Sequence, residues 1–88
     1  GTLRDLTGSI QIDTTNVQIA ALKKAERGNA LIVRLQEMGG RATECRVIVK
    51  GYGQRPQIEI GAYGLKTVRL TRSQGGLVCR EVNLVEGL

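Results

Sequence analysis

The sequence predicts an all-β fold, a small antiparallel β-sandwich of about seven short strands, on three observations. Stretches rich in Val, Ile, Leu and Thr alternate apolar and polar residues. Glycine-bearing breaks at Arg27-Gly28-Asn29, Met38-Gly39-Gly40, Gly51-Tyr52-Gly53, Gly61-Ala62-Tyr63-Gly64 and Ser73-Gln74-Gly75-Gly76 separate them at the spacing of roughly 8–12 residues that marks short strands. The chain has 88 residues, enough for one modest core and too few for two, so residues 1–88 are read as a single domain.

Taken in order, Ser9 to Ile12 is a short first strand and Val17 to Lys23 the second. The third, Ala30 to Glu37, sends Leu31, Val33 and Leu35 to one face and Ile32, Arg34 and Gln36 to the other, because successive side chains in a strand point to opposite sides. In the fourth, Ala42 to Lys50, Cys45, Val47 and Val49 point inward while Glu44, Arg46 and Ile48 lie opposite. Gln57 to Ile60 is the fifth; Lys66 to Thr71 is the sixth, burying Val68 and Leu70 and turning Thr67, Arg69 and Thr71 away. The seventh, Leu77 to Val85, has apolar residues on both sides: Val78, Val82 and Leu84 on one, Leu77, Cys79 and Val85 on the other. That pattern predicts a strand covered twice, with an outer apolar face around Leu77, Cys79 and Val85 meant for a neighbouring domain.

One segment supports a rival local reading. Val17 to Glu26 could be a helix capped by Asn16 and stopped by Gly28, and Ala20 to Glu26 are good helix formers. The strand is preferred because Val17 and Ile19 alternate and Arg27-Gly28-Asn29 suits a hairpin turn.

Composition narrows function mainly by what it lacks. Two tyrosines are the whole aromatic complement, so a core of aliphatic residues must suffice and sugar-stacking platforms are scarce. No histidine is present, which removes the commonest near-neutral acid–base group and zinc ligand. Asp5 and Asp13 could pair with Glu59 or Glu81 as a glycosidase dyad, but no motif places them together, and solvated turn and edge carboxylates is the plainer reading. Gly51-Tyr52-Gly53 lacks the lysine and helix of a phosphate loop. Cys45 and Cys79 sit in apolar alternating runs with no C-x-x-C spacing, the setting of buried free thiols, with a cross-strand bridge as the alternative.

Thirteen basic residues, nine of them arginine, against eight acidic ones give a net charge of +5, which permits nucleic-acid binding. Arginines spread one or two per strand, with few aromatics for base stacking, favour instead a β-face that abuts a second domain. The absence of an initiating Met, a leader or an apolar span of 18 residues is read as a soluble fragment of a larger protein, its compartment left open with the cytoplasm favoured. Arg34 and Glu37 straddle the end of the third strand, as a domain-seam or pocket element or as an ordinary surface pair. Tyr63, beside Gly61 and Gly64, reads as a lid over the end of the core, with sugar stacking as the lesser option.

Asn16-Val17-Gln18-Ile19-Ala20-Ala21-Leu22-Lys23-Lys24-Ala25-Glu26 followed by Leu31-Ile32-Val33-Arg34-Leu35-Gln36-Glu37 resembles the opening of the C-terminal β-domain of the family 38 glycoside hydrolases, the retaining α-mannosidases. Lys23 or Lys24, Glu26, Arg34, Leu35 and Glu37 match its pattern of a lysine-ended strand, an acidic turn and an apolar strand closing in Arg-Leu-x-Glu. Tyr63-Gly64-Leu65-Lys66-Thr67-Val68-Arg69-Leu70 resembles a late strand of the same domain. Val82-Asn83-Leu84-Val85-Glu86 resembles its Asn-Leu-Leu-Glu element, which in the family precedes the Lys-Thr strand and here follows it.

The resemblance implies a C-terminal part of a multidomain enzyme that cleaves terminal α-mannosides with retention. It places the nucleophile, the acid–base carboxylate and the zinc site in a separate N-terminal domain, and implies no catalytic residue, metal or cofactor in this chain. Its partners would be the catalytic and helical domains of the same polypeptide, and Arg34, Glu37, Tyr63 and Lys66 are the candidates for a domain seam or pocket rim. An independent carbohydrate-binding sandwich and a basic nucleic-acid-binding domain are the alternatives.

Overall fold

Period-two alternation becomes seven strands in the computed structural model, which describes residues 10–24 and 30–82. They are β1 (Ile10–Ile12), β2 (Val17–Lys24), β3 (Ala30–Glu37), β4 (Thr43–Val49), β5 (Gln57–Ile60), β6 (Leu65–Ser73) and β7 (Gly76–Glu81). All pairings are antiparallel and build two sheets, β1-β4-β5 and β2-β3-β6-β7. The fold is the all-β sandwich that the alternation predicts.

The core lies between the sheets. Ile10, Cys45, Val47, Val49, Ile58 and Ile60 from one inner face meet Val17, Leu31, Val33, Leu35, Val68, Leu70 and Leu77 from the other in one buried cluster. Aliphatic side chains fill it, as two sheets packed about 10 Å apart allow. Strands three, four and six present the faces their sequences predict.

β2 is a strand, with one irregularity that explains its helix-like spelling. Ile19 pairs with Leu35 and Ala21 with Arg34, so Ala20 is an extra residue, a β-bulge, opposite none on β3. The bulge flips the alternation, and Ile19 and Leu22, three residues apart, both pack against the core. Residues 25 and 26, the end of the helix alternative, lie outside the described residues.

β7 corrects the expectation of an outer apolar face. Its register places Leu77 opposite Arg72, Cys79 opposite Leu70 and Glu81 opposite Val68, so Leu77 and Cys79 point into the sandwich. Leu77 is buried, Cys79 half-buried, and Val78 is the residue on the outer face. The physical reason is that β7 is the edge of the four-stranded sheet and needs only one covered side. Leu84 and Val85 lie outside the described residues, as do Ser9 and Asp5.

Chain connectivity sorts the loops by end. The links β1–β2, β3–β4 and β5–β6 each pass from one sheet to the other, whereas β2–β3, β4–β5 and β6–β7 join neighbours within a sheet. Because the pairings are antiparallel, all three crossings gather at one end of the sandwich. That end carries the site described next.

Candidate functional site

Glu37 has the same parity on β3 as Leu31, Val33 and Leu35, so its side chain points into the space between the sheets, and it is fully buried. A buried carboxylate must be paired or richly hydrogen-bonded. Glu37 takes the second course, and five donors converge on it.

Oε1 accepts from the backbone N–H groups of Gly40 at 2.7 Å, Arg41 at 3.0 Å and Tyr63 at 2.8 Å. Oε2 accepts from the Gly39 N–H at 2.6 Å and the Asn16 amide Nδ2 at 2.8 Å. Asn16 lies in the β1–β2 link, Gly39 to Arg41 in the β3–β4 link and Tyr63 in the β5–β6 link. One carboxylate thus ties all three sheet crossings. Backbone bonds reinforce the tie: the Glu37 N–H donates to the Gly64 carbonyl and the Met38 N–H to that of Asn16. Asn16 Nδ2 also reaches Thr43 Oγ1, whose hydroxyl donates to the Arg41 carbonyl.

Burial by itself would raise the Glu37 carboxyl. The Tyr63 N–H, the Asn16 amide and the N–H groups of Gly39 and Gly40 stabilise the anion more strongly, and its pKa is lowered to about 2. It is a permanent anion at neutral pH.

The turn chemistry makes the cradle possible. Gly40 adopts a φ of 79°, and a Cβ there would come within 2.7 Å of the Tyr63 hydroxyl, so the ring lies against the glycine. Tyr63 itself holds a φ of 55°, uncommon for a tyrosine. The residue is 70% exposed, so the lid over the core is corrected: the left-handed turn directs the main-chain N–H toward Glu37 and leaves the side chain at the surface against Gly40. Met38 and Leu65 are exposed at the same end, at 51% and 61%.

Of the four sequence candidates, Glu37 and Tyr63 meet here and the other two do not. Arg34 lies on the opposite face of β3 from Glu37, so the surface-pair reading is also corrected. Lys66 points into a side cleft of about 320 Å³ between β5 and the β6–β7 edge, lined by Gln57, Glu59, Cys79 and Glu81 among others. There its ammonium donates to the Glu59 carbonyl and lies 3.5 Å from Glu81. Asp13 accepts the Arg46 N–H in an exposed turn, and Asp5 lies outside the described residues. Asn16, Gly39 and Gly40 are the residues that the sequence reading left out of the site. Their signal was present: an acidic residue on the apolar parity of a strand, followed by Gly-Gly.

Both cysteines are free thiols. Among the described residues no group of three or more His, Cys, Asp or Glu could hold a metal ion. No described helix is long and apolar enough to cross a membrane.

No curated protein and no solved structure matches the chain. The family model described as the glycosyl hydrolases family 38 C-terminal beta sandwich domain matches residues 16–86, which takes in β2 to β7 and every donor to Glu37. The chain therefore belongs to the C-terminal beta sandwich domains of the family 38 glycosyl hydrolases.

Proposed function

We propose that this chain is the C-terminal β-domain of an α-mannosidase and acts as a packing platform that fixes the position of the catalytic domain. The observation that carries the reading is the Glu37 tie. Five hydrogen bonds make the crossing end of the sandwich rigid, and Met38, Tyr63 and Leu65 are presented outward from it. An exposed apolar group on a preorganised support suits a seam between domains, since little side-chain or loop entropy is lost when it docks.

On this reading the parent cleaves terminal α-mannosides with retention, and zinc, where it serves that reaction, is held by the catalytic domain. Residues of this chain contribute positioning: a catalytic constellation displaced by about 1 Å loses on the order of 100-fold in rate. Met38 and Tyr63 are the residues placed at the seam or pocket rim.

The test is expression of the complete reading frame that encodes this chain. Hydrolysis of an aryl α-mannoside by that polypeptide, with Tyr63→Ala and Met38→Glu shortening the thermal half-life of the activity, is the expected result. A complete polypeptide without α-mannosidase activity, or hydrolysis by residues 1–88 alone, overturns it.

The preset, exposed Tyr63 also favours a second reading, a carbohydrate-binding sandwich. Calorimetric titration with a mannoside separates the two. Binding heat that vanishes in Tyr63→Ala supports the second, and its absence in the wild type removes it.

A further inference from the structure

Among the described residues the two sheets have four edge strands, β1 and β5 in the smaller and β2 and β7 in the larger. An edge offers main-chain groups that a second copy of the chain can pair with, and proteins block that pairing with short strands, bulges or inward-pointing charges. β1 has three residues and β5 four, and β2 is broken by the bulge at Ala20. β7 has neither protection: it runs six residues in unbroken register with β6, from Gly76 opposite Ser73 to Glu81 opposite Val68.

The main-chain directions of β7 follow from one hydrogen bond. The Val82 N–H donates to the Thr67 carbonyl, so the even-numbered residues turn toward β6 while Leu77, Cys79 and Glu81 turn their N–H and C=O groups to the other side. The side chains of these three residues have inward parity. A second copy added antiparallel about a two-fold axis at Cys79 sets Cys79 opposite Cys79 and Leu77 opposite Glu81 of the copy. Every inward position of that pairing is apolar except Glu81, whose carboxylate would be pressed against leucine and cut off from water.

Glu81 is held in that place from across the side cleft. Lys66 shares the inward parity of Val68 and Leu70, and its ammonium lies 3.5 Å from the Glu81 carboxylate and donates to the Glu59 carbonyl. The Val47 N–H donates to the Pro56 carbonyl, so by the same alternation Glu59 turns its carbonyl to the free side of β5. One ammonium therefore occupies an acceptor on the β5 edge and fixes a carboxylate on the β7 edge. With Lys66 half-buried and Glu81 exposed, such a pair adds little to folding stability, whereas covering it with an added strand is costly. Its placement serves the edges more than the fold.

We propose that Lys66 and Glu81 guard the open side of the sandwich and keep β7 from pairing with β7 of a second copy. The guard works independently of the platform, which concerns the crossing end.

The test is self-association of the chain with the guard removed, followed by sedimentation equilibrium. Glu81 is exposed, so Glu81→Leu leaves the core untouched, and circular dichroism checks that the variant is folded. Glu81→Leu, alone or with Lys66→Met, should raise the dimerisation constant at least about tenfold over wild type, and Glu81→Asp, which keeps the charge, should not. Diamide then identifies the edge: it oxidises two facing thiols to a disulfide and takes up their two electrons and two protons to become the hydrazine. Peptide mapping should find Cys79 joined to Cys79, because a hydrogen-bonded cross-strand pair sets the Cα atoms about 5.5 Å apart, within disulfide reach. A folded Glu81→Leu that associates no more than wild type overturns the proposal, as does a dimer without the Cys79 link or a wild type that already forms it. Should the double variant fail to fold, Glu81→Leu alone gives the answer.

Discussion

Replacing Glu37 by Gln keeps size and shape and removes the charge from the junction of three links. The side-chain amide retains one carbonyl oxygen, and its best orientation serves the larger group of donors, the N–H groups of Gly40, Arg41 and Tyr63. The new NH₂ then faces the Gly39 N–H and the Asn16 amide, so two donors lose their acceptor in a buried place. For a domain of this size that loss corresponds to a fall in Tm on the order of 10 °C at pH 7.

The dependence on acid carries the diagnostic sign. The folded-state pKa of Glu37 is depressed to about 2 from an ordinary value of 4.5, so its contribution is fully present above pH 4.5 and is lost as pH falls through about 2. Thermal unfolding followed by circular dichroism from pH 7 to pH 2 should show wild type and Glu37→Gln converging between those two values. Other carboxylates titrate in the same range in both proteins, so the difference between the curves is the observable. Parallel curves, or a variant within about 2 °C of wild type throughout, refute the reasoning. If the variant does not fold, carbon-detected NMR of the wild-type carboxyl reads the same pKa directly, and titration near 4.5 refutes it equally.

Gly40→Ala should destabilise by about 1–3 kcal/mol through its positive φ and the clash with the Tyr63 ring; adding Tyr63→Ala should recover the steric part, and strict additivity in denaturant melts would count against the contact. Leu77→Ala should cost about 2–5 kcal/mol and Val78→Ala within about 0.5 kcal/mol, and the reverse order would show the faces of β7 misassigned. Burial pushes the Cys79 thiol up to about 11, and burial with the nearby Asp13 charge raises Cys45 as well. Native-state alkylation of Cys79 at pH 7.5 should therefore run on the order of 100-fold slower than that of a free cysteine, whereas labelling at the free rate would contradict its placement.

Strand positions and inner faces were legible because a sandwich strand writes its burial as alternation, and Leu31, Val33 and Leu35 or Cys45, Val47 and Val49 spell it without interruption. β2 was ambiguous for a definite cause: the bulge at Ala20 converts a spacing of two into a spacing of three, which is also the signature of a helix. β7 was misread because apolar residues at successive positions do not distinguish a strand covered twice from an edge strand with one exposed valine. At the site, sequence alone singled out Glu37 and Tyr63 but not that they meet. Their contact spans 26 positions and depends on two sheet crossings, a non-local fact that no window of residues encodes.

The gathering of all three sheet crossings at a single anion also governs how the molecule comes apart. At the far end of the sandwich every connection stays within its own sheet, and the layers meet there through the packed side chains of the core. Thermal opening is expected to begin at that end, so amide hydrogens near Lys50 and Ser73 should exchange before those of Leu35 and Lys66. The domain is thus clamped at one extremity, where a single side chain joins three connections.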